Sequence, residues 1–170
     1  MIIGAGPIGL LISMIVRISG GEPLILDVNE KRLALADSLG IPTAISDDVV
    51  ISEAAGESVD FAFEVSGSAD GIRKAAAALR PKGRLVVVGI HPEPRVFDFF
   101  SVFWRELDVI GARLYDHTDF ETAIGHVVEG RLPLRELITS VTDLDETPRA
   151  VADLASGGHN VKSLIQVGGR

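Results

Sequence analysis

Apolar positions along this chain fall into short runs and helical stripes that alternate from its first residue. Met1-Ile2-Ile3 is an apolar strand ending at the turn Gly4-Ala-Gly-Pro-Ile-Gly9, and Ile8 to Ile18 is then apolar nearly all round. Such a helix is one wedged between a sheet and a further layer, and Gly20-Gly21 ends it. Pro23-Leu-Ile-Leu-Asp27 predicts a short buried strand, with Pro at its start where no ladder hydrogen bond is lost. Asn29 offers an N-cap and Glu30 suits the positive helix end, while Leu33, Ala36 and Leu39 keep helical spacing up to Gly40.

The alternation continues more weakly through a strand near Thr43 to Ser46 and a short helix around Val49 to Ala55. Val59, Phe61, Phe63 and Val65 then alternate with Asp60, Ala62 and Glu64 before Ser66-Gly67 breaks the strand. Ala69 to Leu79 is an alanine-rich helix stopped by Arg80-Pro-Lys-Gly83, and Leu85 to Gly89 is a β-branched strand buried on both faces. Further on, Leu107 to Leu114 predicts a strand, Phe120 to Glu129 a helix, Ile138 to Leu144 an extended segment, Thr147 to Leu154 a helix and Val161 to Val167 a last strand. Repeated βα units of this kind imply a mostly parallel sheet with right-handed crossovers and helices on both faces. Between them, Pro92 to Trp104 gathers five of the nine aromatic side chains, which marks a packing surface.

Composition narrows the class. At 170 residues the chain can bury one substantial core, and one globular unit is expected. An apolar fraction of 46% with 24% charged residues fits neither disorder nor a membrane bundle. The net charge of −8 opposes a nucleic-acid partner. The absence of cysteine excludes disulfides and thiolate metal sites and accords with a reduced, cytoplasmic location. Met1 to Val16 precedes the first charge, Arg17, but no basic residue leads it and Gly and Pro interrupt it, against a signal peptide or membrane anchor.

The candidate chemistry lies at strand ends. In Gly4-x-Gly6-x-x-Gly9 the first Gly makes the bend, the second leaves room for a pyrophosphate and the third lets helix and strand touch, although a glycine turn can equally be structural. Asp27 ends the second strand about 20 residues on, where a carboxylate accepts both ribose hydroxyls of an adenosine and repels a 2′-phosphate, favouring NAD over NADP; alternatively it only caps the helix at Asn29. Spacing alone gives Arg32 no role. Ser66-Gly67 and Gly89-Ile90 follow buried strands at the sheet edge where ligands of open α/β sheets bind, or are ordinary turns. No catalytic residue and no metal ligand is assigned. His91, His117, His126 and His159 are scattered loop or surface residues, Ser66-x-Ser68 lacks a nucleophile elbow, and Glu64 is better read as a hydrogen-bonded structural acid than a base.

Taken in order, Gly4-Ala-Gly-Pro-Ile-Gly9-Leu-Leu, Asp27 with Arg32-Leu33, Phe63-Glu-Val-Ser-Gly67, Leu79-Arg-Pro-Lys-Gly83-Arg, Val86-Val-Val-Gly-Ile90, Arg105-Glu-Leu-Asp-Val-Ile-Gly111 and Val161-Lys-Ser-Leu-Ile165 resemble the cofactor half of medium-chain, zinc-type alcohol dehydrogenases. The polyol branch of sorbitol, butanediol and threonine dehydrogenases is the most similar. The resemblance implies a Rossmann-type, doubly wound α/β fold over residues 1–170, with a shortened first strand and without the family's amino-terminal catalytic domain, where the zinc ligands lie.

Carried over, it implies that Gly4, Gly6, Pro7, Ile8 and Gly9 hold the pyrophosphate of NAD, Asp27 the ribose, and Arg32 the edge of the adenosine. Val65 and Ser66 would line the cleft, Val88, Gly89 and Ile90 with Leu114 on the next strand would flank the nicotinamide, and Lys162 would reach the pyrophosphate. Arg95 to Phe99 would form an edge strand pairing copies in a homo-oligomer, here a dimer. The expected function is NAD binding within an oxidoreductase that moves hydride between a small alcohol or polyol and NAD. Two other readings remain: a stand-alone NAD-binding module, and an S-adenosylmethionine methyltransferase, against which Pro7-Ile8-Gly9 and Lys162 stand.

Overall fold

The computed structural model describes residues 1–47, 59–156 and 160–168. The chain divides into two compact units, Met1–Tyr115 and Asp116–Arg170. The helix expected around Val49 to Ala55, and His159, lie outside the described residues.

The first unit is built on a six-stranded sheet. Its elements are β1 (Ile2–Ile3), α1 (Pro7–Ile18), β2 (Ile25–Asp27), α2 (Glu30–Ser38), β3 (Thr43–Ile45), β4 (Val59–Glu64), α3 (Ala69–Ala78), β5 (Leu79–Val87), α4 (Phe99–Arg105) and β6 (Asp108–Gly111). The strand order is β3-β2-β1-β4-β5-β6 and every pairing is parallel. Parallel neighbours need crossovers, which is why helices separate them in sequence. The chain reverses direction across the sheet at β1, and the crevice at that point is where open α/β sheets receive ligands.

Local chemistry sets the element ends much as the sequence pattern predicts. Asn29 caps α2 by accepting from the Lys31 and Arg32 amides at 3.0 and 3.3 Å, and Ser68 caps α3 by accepting from Gly71 N at 2.8 Å. Ile3, Leu26, Ala62 and Leu85 are buried together beneath Ala75, Ala76 and Ala78 of α3. Alanine there lets the helix approach the strands closely, at full burial for Ala62, Ala75 and Ala78.

β5 differs from expectation. It begins at Leu79, which pairs with Val59, and contains the turn Arg80 to Gly83 with Lys82 in the left-handed region at φ 61°. The ladder resumes with Phe61 opposite Arg84 and stops at Val87, before Gly89.

The end of α3 is held by Arg105, whose guanidinium donates to the carbonyls of Ala76, Ala77 and Leu79 at 2.8, 3.3 and 3.0 Å and to Ser101 Oγ. These are the carbonyls a helix leaves unpaired at its last turn. Arg105→Met is expected to lower the free energy of unfolding by about 1–3 kcal/mol in urea titration, and Arg105→Lys to recover little of it because an ammonium cannot reproduce the fork.

Two expectations are corrected in this unit. Within the chain residues 95–98 join no ladder, and Phe99, expected to end an extended segment, instead starts α4, where the Asp98 side chain accepts from Ser101 N and caps the helix. β6 ends at Gly111, so Leu114 lies beyond the strand and is exposed.

The second unit holds α5 (His117–Val128), α6 (Leu134–Leu137), β7 (Ile138–Asp143), a 3-10 turn at Leu144–Glu146, α7 (Thr147–Ala155) and β8 (Lys162–Gln166). β7 and β8 pair in parallel as a two-stranded sheet. Asp116 and Asp119 form a reciprocal capping box at the start of α5. No helix among the described residues is long and apolar enough to cross a membrane.

Candidate functional site

The turn between β1 and α1 is shaped by what its glycines lack. Gly4 has φ +114°, a conformation that favours glycine, and its amide donates to Leu26 O at 2.7 Å. A Cβ on Gly9 would collide with the Gly4 carbonyl oxygen, so only glycine lets α1 start this close to β1. Gly6 is the opposite case: a Cβ there would meet nothing within 4 Å. Pro7 opens α1 at its first turn, where a missing N–H costs nothing, and Ile8 beside it is 54% exposed.

Gly6 faces a cleft of about 280 Å³. The cleft brings together Gly4 and Gly6 from the turn, Asp27 and Arg32 from β2 and α2, Ser46 after β3, Val65, Ser66 and Ser68 from the loop after β4, and Asp70 from the first turn of α3. The Asp27 side chain is only 7% exposed. Its Oδ2 accepts from Ala5 N at 2.7 Å and its Oδ1 from Asn29 N at 2.8 Å, with Arg32 Nη1 3.9 Å from Oδ2. Asp27 thus tethers the glycine turn to the start of α2, and each oxygen keeps a further acceptor site. The capping reading of Asp27 and the ligand reading are compatible in this geometry.

Sequence reasoning missed two clusters beside the cleft. Glu64, fully buried at the end of β4, accepts at Oε1 from Ser66 N, Ser66 Oγ and Gly67 N at 2.8, 2.6 and 2.9 Å, and its Oε2 lies 2.9 Å from His91 Nε2. The acid is hydrogen-bonded as read from sequence, but its histidine partner is visible only through the parallel register that sets Glu64 opposite Val87. The second cluster centres on Lys74, a buried cation whose Nζ donates to Ser46 O at 2.7 Å and pairs with Asp70 Oδ2 at 2.7 Å. Hydrogen bonds from Lys74 and then Arg73 hold the Asp70 carboxyl below the usual carboxylate range. An apolar stripe interrupted by one lysine, as on α3, was the available signal for it.

The remaining candidates lie as follows. Val88 and Gly89 donate their amides to Glu64 O at 2.9 and 2.8 Å, and Ile90 is exposed just beyond. Leu114 is not among the residues lining the cleft. Lys162 begins β8 in the second unit and is exposed. No group of three or more His, Cys, Asp or Glu among the described residues is placed to hold a metal ion, and the chain has no cysteine, so these residues do not fit a zinc site.

Six parallel strands in this order, a glycine turn after the first and an acid ending the second define a Rossmann-type, doubly wound α/β protein. Within that class the chain belongs to the zinc-binding dehydrogenase family, whose model matches residues 7–129. It is 32% identical to the 2-dehydro-3-deoxy-L-galactonate 5-dehydrogenase of Pseudoalteromonas atlantica, over 98% of this chain and 50% of that protein. Its structure superposes on 2R,3R-butanediol dehydrogenase from Bacillus subtilis with a TM-score of 0.84 at 25% identity, covering 98% of this chain and 50% of the other. A protein of Sinorhizobium meliloti 1021 classed as a zinc-binding dehydrogenase and bound to NADP gives 0.85 at 26% identity, with 98% and 51% covered. The chain spans about half the length of the relatives it matches.

Proposed function

We propose that this chain binds NAD(H) as the cofactor part of a zinc-type dehydrogenase that exchanges hydride between a small secondary alcohol or polyol and the nicotinamide. The observation that carries the reading is the placement of the Asp27 carboxylate in the same cleft as the open side of Gly6. The cleft fits the group on chemical grounds: backbone amides and the positive end of α1 suit a pyrophosphate, and a carboxylate suits a ribose diol.

In this reading each residue binds or orients. The turn from Gly4 to Gly9 receives the pyrophosphate, Asp27 accepts from the ribose hydroxyls, and Arg32 covers the adenosine edge. Val65 and Ser66 border the cleft, while Val88, Gly89 and Ile90 lie toward the nicotinamide. When bound, the nicotinamide supplies hydride transfer at its ring, and the protein's share is to fix that ring in place.

The 170-residue chain is expected to bind NAD in calorimetric titration with at least about tenfold preference over NADP, corresponding to about 1.4 kcal/mol. It is expected not to oxidise sorbitol or butanediol, since no group of side chains among the described residues is placed to hold a metal ion. Absence of NAD binding, or equal affinity for NAD and NADP, would overturn the cofactor assignment; turnover of either alcohol would overturn the division of labour.

A further inference from the structure

We infer that Glu64 and His91 are positioning residues, a buried hydrogen-bonded pair that locks the loop after β5 onto the loop after β4 and so shapes the nicotinamide half of the dinucleotide site. The inference rests on the NAD-binding reading and names a part of that site which the glycine turn and Asp27 do not explain.

A carboxylate with no exposed surface must find its hydrogen bonds within the protein or pay heavily in desolvation. Glu64 finds all of them in two loops. Oε1 accepts from Ser66 N, Ser66 Oγ and Gly67 N after β4, and Oε2 meets His91 Nε2 at 2.9 Å after β5. The main-chain oxygen of the same residue accepts from Val88 N and Gly89 N. One residue therefore fixes residues on both loops, through its side chain and its backbone at once.

The loops touch with no room between them. A Cβ on Gly89 would collide with Gly67 N, and one on Gly67, which sits at φ +69°, would collide with Ile90 O. His91 is the clasp, with its side chain 14% exposed. Its Nδ1 is buried with no hydrogen-bond partner among the described residues, so Glu64 is the group there that holds the ring.

Topology says which half of the ligand these loops meet. Asp27 ends β2 on one side of β1, and β4 and β5 lie on the other side. A dinucleotide bound across the crevice with its adenosine at Asp27 and its pyrophosphate at the glycine turn places its second nucleoside toward β4 and β5.

A pair that served stability alone would weaken every ligand equally or none. The test compares NAD with ADP-ribose, which keeps the adenosine and pyrophosphate and lacks the nicotinamide ring. His91→Ala is expected to weaken NAD binding about five- to tenfold, the range of one lost hydrogen bond, while ADP-ribose affinity stays within about twofold. His91→Gln, whose amide can again donate toward Glu64, is expected to restore most of the loss. Because Glu64→Gln lies in the core and can fail to fold, His91→Ala carries the test, with its thermal midpoint measured alongside. Equal losses for both ligands, or no loss for NAD, would overturn the pair's positioning role. Failure of the unaltered chain to bind either ligand would instead remove the NAD-binding reading, and this inference with it.

Discussion

Replacing Asp27 with alanine is expected to weaken NAD binding tenfold to a hundredfold and to erode the preference for NAD over NADP. Hydrogen bonds to a charged acceptor contribute about 1.5–3 kcal/mol, and tenfold in affinity is about 1.4 kcal/mol. Two effects compound in this structure. On the proposed reading the variant loses the acceptor for the ribose hydroxyls, and it leaves Arg32 3.9 Å from where the carboxylate stood, with a charge to attract a 2′-phosphate. NADP affinity should therefore fall less than NAD affinity, or rise. Asp27 also anchors Ala5 N and Asn29 N, so the variant leaves a buried amide unpaired at a cost of about 1–3 kcal/mol in stability. Asp27→Asn separates the two effects, because an amide oxygen can still accept from Ala5 N while the negative charge is gone. The check is calorimetric titration with both dinucleotides, beside thermal unfolding of each variant. Unchanged NAD affinity in Asp27→Ala would remove Asp27 from the ribose site and leave it a structural tether.

Much of this architecture is legible in the sequence because it is written locally. The Gly4 to Gly9 turn, the Asn29 cap and the strand from Val59 to Glu64 each draw on neighbouring residues and are found where the pattern places them, but the faces of the strand are reversed: Ala62 and Glu64 are buried and Phe61 is 48% exposed. Non-local features escape. Glu64 and His91 are 27 residues apart and meet only because β4 and β5 align in one register. Lys74 sits on the alanine-rich helix, and the acceptor that lets it be buried, Ser46 O, is 28 residues away. The helix α4 lies within the aromatic run from Pro92 to Trp104, where the sequence marks only a packing surface, and Asp98 starts the helix by capping it. Hydrophobicity also does not say what covers a surface. α1 is apolar nearly all round, yet Ile8 is 54% and Ile15 37% exposed, so its outer side meets no further layer among the described residues.

The two glycines of the turn separate the fold from the site. Gly9→Ala is expected to destabilise the chain by about 3 kcal/mol, at the upper end of the usual range for overpacking, because the new Cβ would collide with the Gly4 carbonyl oxygen. Neither partner can yield cheaply: Gly4 N is bonded to Leu26 O, and Leu10 and Met14 of α1 are buried. Relief requires α1 to withdraw from β1, which should also spoil the anion-binding end of the helix and lower NAD affinity. Gly6→Ala should behave in the opposite way. Its φ of −76° suits any residue and a Cβ would enter open space, so the thermal midpoint should stay within about 2 °C of the unaltered chain. That open space is the cleft itself, and a methyl group in it stands where the pyrophosphate approaches the backbone, so NAD affinity should fall about tenfold to a hundredfold. Thermal unfolding and NAD titration of both variants check the pair. If Gly6→Ala binds NAD unchanged while Gly9→Ala loses both properties, the turn is a packing device alone and the phosphates lie elsewhere.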